Sequence, residues 1–289
     1  HCICRLGGSV SRLDWKRPEV IMPENKRRIA LTISYDGNKW HGWQVQDNAD
    51  SVEGEIEKIL SSITGEDIFL HGSGRTDSGV HALGQVAHFD TESKISPEKF
   101  STILNTKLPS SIRIHSSWEP EGVFHARFTA MAREYWYLVK EYKDMLPFDS
   151  GRMTALRSLP DVNLLNSYAS LLFGTHDFTT FCSSKDMCES KTRDIYESIW
   201  SEEKDGYGFK ILKYKVVGNA FLYRQVRSMV GTMLDSALLG EDREAFKERL
   251  EAKDRSKALR TAPSDGLYLA RISYDENEYL WFEEENCGR

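Results

Sequence analysis

A glycine-rich run holds the two side chains of this chain that are best placed to do chemistry. Arg75 and Asp77 stand two residues apart in the run Gly72-Ser-Gly-Arg-Thr-Asp77-Ser-Gly-Val-His-Ala82. Glycines allow a tight turn and close backbone approach. A carboxylate held in such a turn and facing a cleft could attack a substrate carbon. A surface turn whose aspartate bonds its own backbone has the same pattern, so the run alone leaves both interpretations open.

The longest predicted helix, residues 221–239, carries two arginines, one of which could reach a cleft. At about 100° per residue, its apolar side chains fall in one arc that would form the buried face: Leu222, Val226, Met229, Val230, Met233 and Ala237. Arg227 lies roughly 60° outside this arc and Arg224 roughly 120° outside it, so Arg224 should be more solvated. A guanidinium at the edge of burial can reach a cleft and stabilise a charged aspartate there. Two ordinary surface arginines are the alternative.

Aromatic and basic side chains cluster at two further places. In the strand Arg133-Glu-Tyr135-Trp-Tyr137, alternation points Tyr135 and Tyr137 to one face and Trp136 to the other. Such strands are mostly core, but a tyrosine at a cleft could also stack on an unpaired base. The segment Phe124-His-Ala-Arg127-Phe128 and the run Lys191-Thr-Arg193 are modest signals for contact with a nucleic-acid backbone.

The elements that must position these residues repeat one order, strand-helix-strand-strand-helix-strand, in both halves. In the first half, strands are predicted at 29–35, 68–71, 85–90 and 112–115, with helices from an Asp50/Glu53 capping box and from Ser96. In the second, strands are predicted at 134–140, 195–201, 209–217 and 266–274, with helices at 163–173, 221–239 and 243–252.

This order predicts an α+β fold of two ferredoxin-like (βαββαβ) halves, at 22–120 and 121–289. Mainly antiparallel sheets would lie side by side, with helices on one face and an active-site cleft between the halves. Residues 1–21 have basic side chains without a hydrophobic stretch, and we expect a disordered leader there.

Composition narrows the classes of protein. The 289 residues are 40% hydrophobic and carry 38 Lys and Arg against 44 Asp and Glu, a net charge of −6, which predicts a soluble globular protein and argues against a polybasic nucleic-acid binder. The sequence has no apolar run of about 18 residues, so no membrane-spanning helix is predicted. The five cysteines show no C-x-x-C spacing, and a reducing cytoplasm is expected. We predict no metal site, because five histidines considered as ligands are scattered in the sequence: His71, His81, His88, His125 and His176.

Short motifs in both halves together resemble the TruA family of bacterial tRNA pseudouridine synthases. They cover about residues 29–274, and each is weak alone, but their collinear order is specific. The motifs are Tyr35-Asp-Gly37, Gly42-Trp-Gln44, Gly74-Arg-Thr-Asp-Ser-Gly-Val-His81, Gly84-Gln-Val86, Leu104-Asn105, Leu108-Pro109, Phe124-His-Ala-Arg127, Arg133-Glu-Tyr-Trp-Tyr137, Gly174-Thr-His-Asp-Phe178, Thr192-Arg193, Phe221-Leu222, Val226-Arg227, Met229-Val-Gly231, Ala262-Pro263 and Gly266-Leu267.

The resemblance implies isomerisation of uridine to pseudouridine at positions 38, 39 and 40 of the tRNA anticodon stem-loop. Asp77 matches the family's catalytic aspartate, Arg227 the basic residue that pairs with it, and Tyr135 the tyrosine that stacks on the base and is a candidate general base. Arg75 matches the arginine that holds the target nucleotide out of the stack, and Leu267 would pack on the base. One departure is Ser78, where alanine is commoner in the family.

The resemblance also implies contacts with tRNA from Phe124, His125, Ala126, Arg127, Phe128, Lys191 and Arg193. It implies a cytoplasmic homodimer, with neither DNA nor a membrane among its partners and with no cofactor, since the reaction involves no redox change. Two rivals are a non-catalytic RNA-binding protein on the same scaffold and a small-molecule enzyme that uses Asp77 and Arg227 in a closed pocket.

Overall fold

The structure is a computed structural model that describes residues 25–275, and the expected leader at 1–21 lies outside them. Ten strands form within this range: β1 (Arg27–Tyr35), β2 (His71–Gly72), β3 (His81–Thr91), β4 (Ile112–Trp118), β5 (Ala132–Glu141), β6 (Thr154–Leu156), β7 (Gly174–Asp177), β8 (Thr192–Lys204), β9 (Lys210–Gly218) and β10 (Leu267–Ser273). The α-helices of the same range are α1 (Val52–Thr64), α2 (Lys99–Asn105), α3 (Val162–Ala169), α4 (Gln225–Leu239) and α5 (Arg243–Glu251).

The strand order repeats between the two parts of the chain. The sheet runs β4-β1-β3-β10-β5-β9-β8-β7, with β2 on β3 and β6 on β5. In the first part the order is β4-β1-β3-β2, and in the second part β10-β5-β9-β8 has the same fourth-first-third-second pattern. The predicted α+β fold with mainly antiparallel pairing is therefore confirmed.

The two half-sheets meet at a short seam between β3 and β10. These strands run parallel and pair at two positions, Tyr268 with His81 and Leu269 with Ala82. The hydrophobic clusters of the two halves adjoin at this seam, because Tyr135 packs against both of them. Residues from both halves can therefore contribute to a binding site at the seam.

Helix α1 starts one residue later than a capping box at Asp50 requires. Ser51 is the N-cap, and its hydroxyl accepts the Gly54 N–H at 3.2 Å. The Glu53 carboxylate instead accepts hydrogen bonds from Trp43 Nε1 and from the Val45 N–H, both at 3.0 Å. The Asp50/Glu53 capping box is therefore wrong, because the acid is used to hold the preceding loop.

Helix α4 begins at Gln225, four residues after the predicted start. Arg224 precedes it with φ of 61°, a left-handed conformation that interrupts any helix through 221–224. The strands β6 and β7 were not predicted, since three or four residues are too few to show alternation. Within residues 25–275 no helix is both long and apolar enough to span a membrane.

Candidate functional site

The loop that carries Asp77 is held from both sides by backbone and side-chain hydrogen bonds. Thr76 is bonded twice, by the Tyr35 hydroxyl to its Oγ1 at 2.7 Å and by the Trp43 N–H to its carbonyl at 3.1 Å. A side chain at Gly42, which has φ of 97°, would come within 2.6 Å of the Thr76 carbonyl. Close backbone approach here requires glycine. Asp77 therefore projects from a loop with little freedom to move.

The Asp77 carboxylate bonds a guanidinium of the other half. Arg227 Nη1 lies 2.7 Å from Asp77 Oδ2, and the side chains are 14% and 22% exposed. Arg227 Nε also donates to the Ala262 carbonyl at 2.9 Å. The structure thus brings together the predicted pair, and the interpretation of a surface turn closed by its own aspartate does not fit this contact.

A second guanidinium stands beside the same carboxylate. Arg224 Nε is 3.6 Å from Asp77 Oδ2, and its side chain is 46% exposed, so it is more solvated than Arg227 as expected. Sequence reasoning missed this proximity, because a helical projection points Arg224 away from the cleft. The left-handed backbone at Arg224 turns the side chain back towards the loop. Two guanidiniums therefore face the Asp77 carboxylate.

Tyr135 supplies an aromatic face near the loop. Its ring packs edge-on against Phe221, with the centroids 5.1 Å apart at 82°. A Cβ added to Gly74 would lie 3.9 Å from the Tyr135 hydroxyl, so that hydroxyl faces the loop. Burial raises the pKa of Tyr135 to about 12, Arg133 opposes this rise, and Asp77 adds to it. The phenol is consequently protonated at neutral pH.

Arg75 and Leu267 occupy different surroundings. Arg75 is exposed, and no carboxylate of residues 25–275 lies within ion-pair distance of it. Burial raises the pKa of the Glu53 carboxyl, and the charge of Arg75 works against that rise. Leu267 is 6% exposed and packs in the hydrophobic cluster of the second half. Arg75 is thus free to meet a ligand, whereas Leu267 stands at the wall of the seam.

The residues expected to contact RNA are unequally exposed. The side chains of Phe124, Ala126 and Arg193 face the core, at 9%, 0% and 5% exposure. Lys191 is half-buried, and its Nζ bonds Asp186 at 2.9 Å. Arg127 is exposed, with its guanidinium 5.8 Å from the centre of the Phe128 ring.

His125 completes that set, and it belongs to a group of histidines that the sequence showed as scattered. Its ring lies 4.5 Å from that of His88 and 5.8 Å from that of His71. Burial, aided by neighbouring positive charge, lowers the pKa of His88 to about 2 and that of His125 to about 4. No group of three or more possible ligands in residues 25–275 has the arrangement of a metal site.

The Ser78 hydroxyl, the departure noted in the sequence, donates to the Trp40 carbonyl across 3.4 Å. It adds one long bond to the frame of the Asp77 loop. The site as a whole therefore combines a carboxylate, two guanidiniums and a protonated phenol whose ring packs against Phe221. This set can deliver a nucleophile to a neutral ring or sugar carbon and can hold a planar group beside it.

Comparisons with known proteins match nearly the whole described range. A family model described as tRNA pseudouridine synthase matches residues 31–129 and 168–275. The chain is 41% identical over 250 residues to tRNA pseudouridine synthase A of Bacillus subtilis, covering 86% of this chain and 99% of that protein. It is 36% identical over 253 residues to the Staphylococcus aureus protein of the same name, covering 88% and 93%, and 34% identical over 249 residues to that of Borrelia turicatae, covering 86% and 100%.

Proposed function

The chain belongs to the tRNA pseudouridine synthase family, whose members are isomerases, and we propose that it converts uridine to pseudouridine at positions 38, 39 and 40 of the tRNA anticodon stem-loop. The relatives are tRNA pseudouridine synthases by name, which supports tRNA as the substrate. The observation that carries the proposal is the 2.7 Å contact between Asp77 and Arg227, since it joins a carboxylate of the first half to a guanidinium of the second.

The reaction breaks one bond and forms another without net gain or loss of atoms. The bond from ribose C1′ to uracil N1 is cleaved, the base turns, and C5 is joined to C1′. The proton on C5 is lost and N1 ends protonated, so the product is an isomer. The Asp77 carboxylate is the nucleophile of this sequence, and C1′ and the uracil ring are its two possible targets.

Tyr135 stacks on the turned base and is positioned for the proton transfer from C5. Because its phenol is protonated in the free protein, transfer to Tyr135 requires that its own proton leave in the complex. Arg75 is exposed and has no ion pair within residues 25–275, which suits it to replace the stacking that a flipped nucleotide loses. Arg127 and Phe128 would contact the RNA backbone, and Leu267 the base.

A cytoplasmic homodimer, with both subunits contacting one tRNA, is the assembly we propose. Gel filtration with light scattering tests it, and a fully active monomer would contradict it. Mapping pseudouridine in unmodified tRNA transcripts after incubation with the protein tests the function itself. Product at positions 38 to 40 is expected. Tight tRNA binding without any product would instead favour a non-catalytic RNA-binding protein.

A further inference from the structure

A small polar cleft lies next to Arg224, one of the two guanidiniums that face Asp77. Its volume is about 140 Å³, and its lining residues are all basic or hydroxyl-bearing: Ser183, Ser184, Arg224, Ser228, Arg255 and Thr261. None of these six is acidic. The cleft adjoins the site through Arg224, whose Nε is 3.6 Å from Asp77 Oδ2.

Ser228 at this cleft has an unsatisfied buried hydroxyl. The residue is 1% exposed, and its Oγ has no hydrogen-bond partner among residues 25–275. Buried hydroxyls are nearly always bonded, so a missing partner needs an explanation. Ser228 lies in the first turn of the fifteen-residue helix α4, where the helix dipole favours a negative charge. An anionic ligand in the cleft would supply the acceptor.

The two arginines of the cleft are arranged to receive such an anion. Arg255 Nη2 donates to Thr261 Oγ1 at 2.9 Å, which orients the guanidinium, and no carboxylate of the described range lies within ion-pair distance of it. The Arg224 guanidinium lies 5.1 Å from the centre of the Tyr223 ring, and its Nε is also the atom near Asp77. Guanidiniums with free donors match the oxygens of a phosphate in geometry and charge.

We propose that this cleft binds one phosphate of the RNA backbone, adjacent to the nucleotide that reaches Asp77. The proposal rests on the proposed function. With a phosphate in the cleft, Arg224 contacts both that phosphate and the Asp77 carboxylate, so the position of the backbone is fixed relative to the nucleophile. A phosphate contact positions the RNA without selecting bases.

The test combines protein variants with RNA in which single phosphates are neutral. Anticodon stem-loops carry one methylphosphonate at each linkage within three nucleotides of the target uridine, and binding is measured for the wild type and for Arg255→Gln. We expect one linkage at which the neutral substitution lowers the affinity of the wild type about tenfold. The same substitution should lower the affinity of Arg255→Gln by less than about threefold, relative to that variant's own affinity for the unmodified stem-loop. Arg243→Gln, an exposed arginine of α5, is the control and should respond like the wild type.

Ser228→Ala keeps the test decisive if Arg255→Gln fails to fold. It removes only an unpartnered hydroxyl, so its stability should equal or exceed that of the wild type, while its affinity for the unmodified stem-loop falls several-fold. The proposal would be overturned by two results together: Ser228→Ala binds the unmodified stem-loop as tightly as the wild type, and each neutral linkage lowers the affinity of Arg255→Gln as much as it lowers that of the wild type. Inorganic phosphate that binds at the cleft and does not compete with RNA would overturn it also.

Product formation is measured separately on unmodified tRNA. If the wild type makes pseudouridine but no linkage couples to Arg255, the cleft proposal alone fails. If coupling is found and no product forms, the proposed function fails and the phosphate site stands.

Discussion

Arg227 and Ala262 are joined by two hydrogen bonds of 2.9 Å, one from Arg227 Nε to the Ala262 carbonyl and one from the Ala262 N–H to the Arg227 carbonyl. Helix α4 is thereby tied to the segment that leads into β10. The guanidinium has one remaining edge, and this edge meets Asp77. The position of the Arg227 guanidinium beside Asp77 is therefore fixed by a hydrogen bond to the backbone and does not depend on a flexible side chain alone.

Asp77→Asn should abolish product formation while leaving fold and tRNA affinity largely intact. The amide is a poor nucleophile, and we expect a loss in kcat of about 10³-fold or more. Pseudouridine mapping and tRNA binding are the measurements. Asp235→Asn on α4 is the matched control, because Asp235 is also 22% exposed and also pairs with an arginine. Appreciable turnover by Asp77→Asn would refute the assignment of Asp77 as the nucleophile.

Arg227→Lys should lower kcat nearly as much as a substitution that removes the positive charge. A lysine ammonium cannot reproduce the planar geometry in which Nε bonds Ala262 while Nη1 bonds Asp77. We expect kcat to fall about 10²-fold with little change in tRNA affinity, as for a group acting on the reacting carboxylate. A Lys variant with wild-type kcat would show that charge alone suffices.

Tyr135→Phe and Tyr135→Leu separate the two roles of this residue. Phenylalanine keeps the ring that packs against Phe221 and loses only the hydroxyl. Rapid-quench measurement of the chemical step should show a large loss for both variants, with weakened binding of the flipped uridine only for leucine, since stacking contributes about 1–3 kcal/mol per base. If Tyr135→Phe reacts at the wild-type rate, the hydroxyl takes no part in proton transfer.

Gly231→Ala should weaken both the fold and the site. A Cβ at Gly231 would lie 1.9 Å from the Arg260 carbonyl, so α4 must move away from the segment that orients Arg227. Overpacking of this kind costs about 1–3 kcal/mol of unfolding free energy, measurable by urea denaturation together with a fall in kcat. Gly206→Ala in the β8–β9 turn, with nothing within 4 Å, is the control.

The stability of the fold should decrease as the pH falls below about 6.5, in part through His88. Burial, with the charge of Arg28, lowers the pKa of His88 from 6.5 to about 2, so the unfolded chain takes up a proton that the folded chain does not. This contribution is present above 6.5 and is lost progressively towards pH 2, at up to about 1.4 kcal/mol per pH unit.

His88→Phe should show a shallower slope of unfolding free energy between pH 6.5 and 4 than the wild type. The exposed His41 provides a control variant, His41→Gln, which should keep the wild-type slope. Equal slopes in all three proteins would mean that His88 is not held neutral in the fold.

Local patterns were enough to predict much of this molecule. The period-two run at Ile29 to Tyr35 depends only on neighbours in sequence and forms β1 as expected. Of the predicted apolar arc, Val226, Met229, Val230 and Met233 are buried in α4, but Leu222 precedes the helix, and polar residues outside the arc are buried too. The pairing of Arg227 with Asp77 was expected from the resemblance to the family, whereas the helical projection by itself only placed Arg227 at the edge of burial.

The remainder depends on contacts that no window of sequence contains. Arg224 reaches Asp77 because one residue adopts a left-handed backbone, which helical spacing cannot show. His71 and His88 become neighbours only when β2 pairs with β3. Likewise Phe124 looked accessible beside Arg127, and the structure buries it against Tyr274, with centroids 4.9 Å apart.

The contact between Asp77 and Arg227 joins residues 150 positions apart, and this separation has a consequence for synthesis. A ribosome that adds 5–20 residues per second needs about 8 to 30 s to travel between them. During that interval the first half can fold around its own helices, but its carboxylate has no guanidinium from the second half. In a nascent chain the contact between Asp77 and Arg227 therefore cannot form until α4 has emerged.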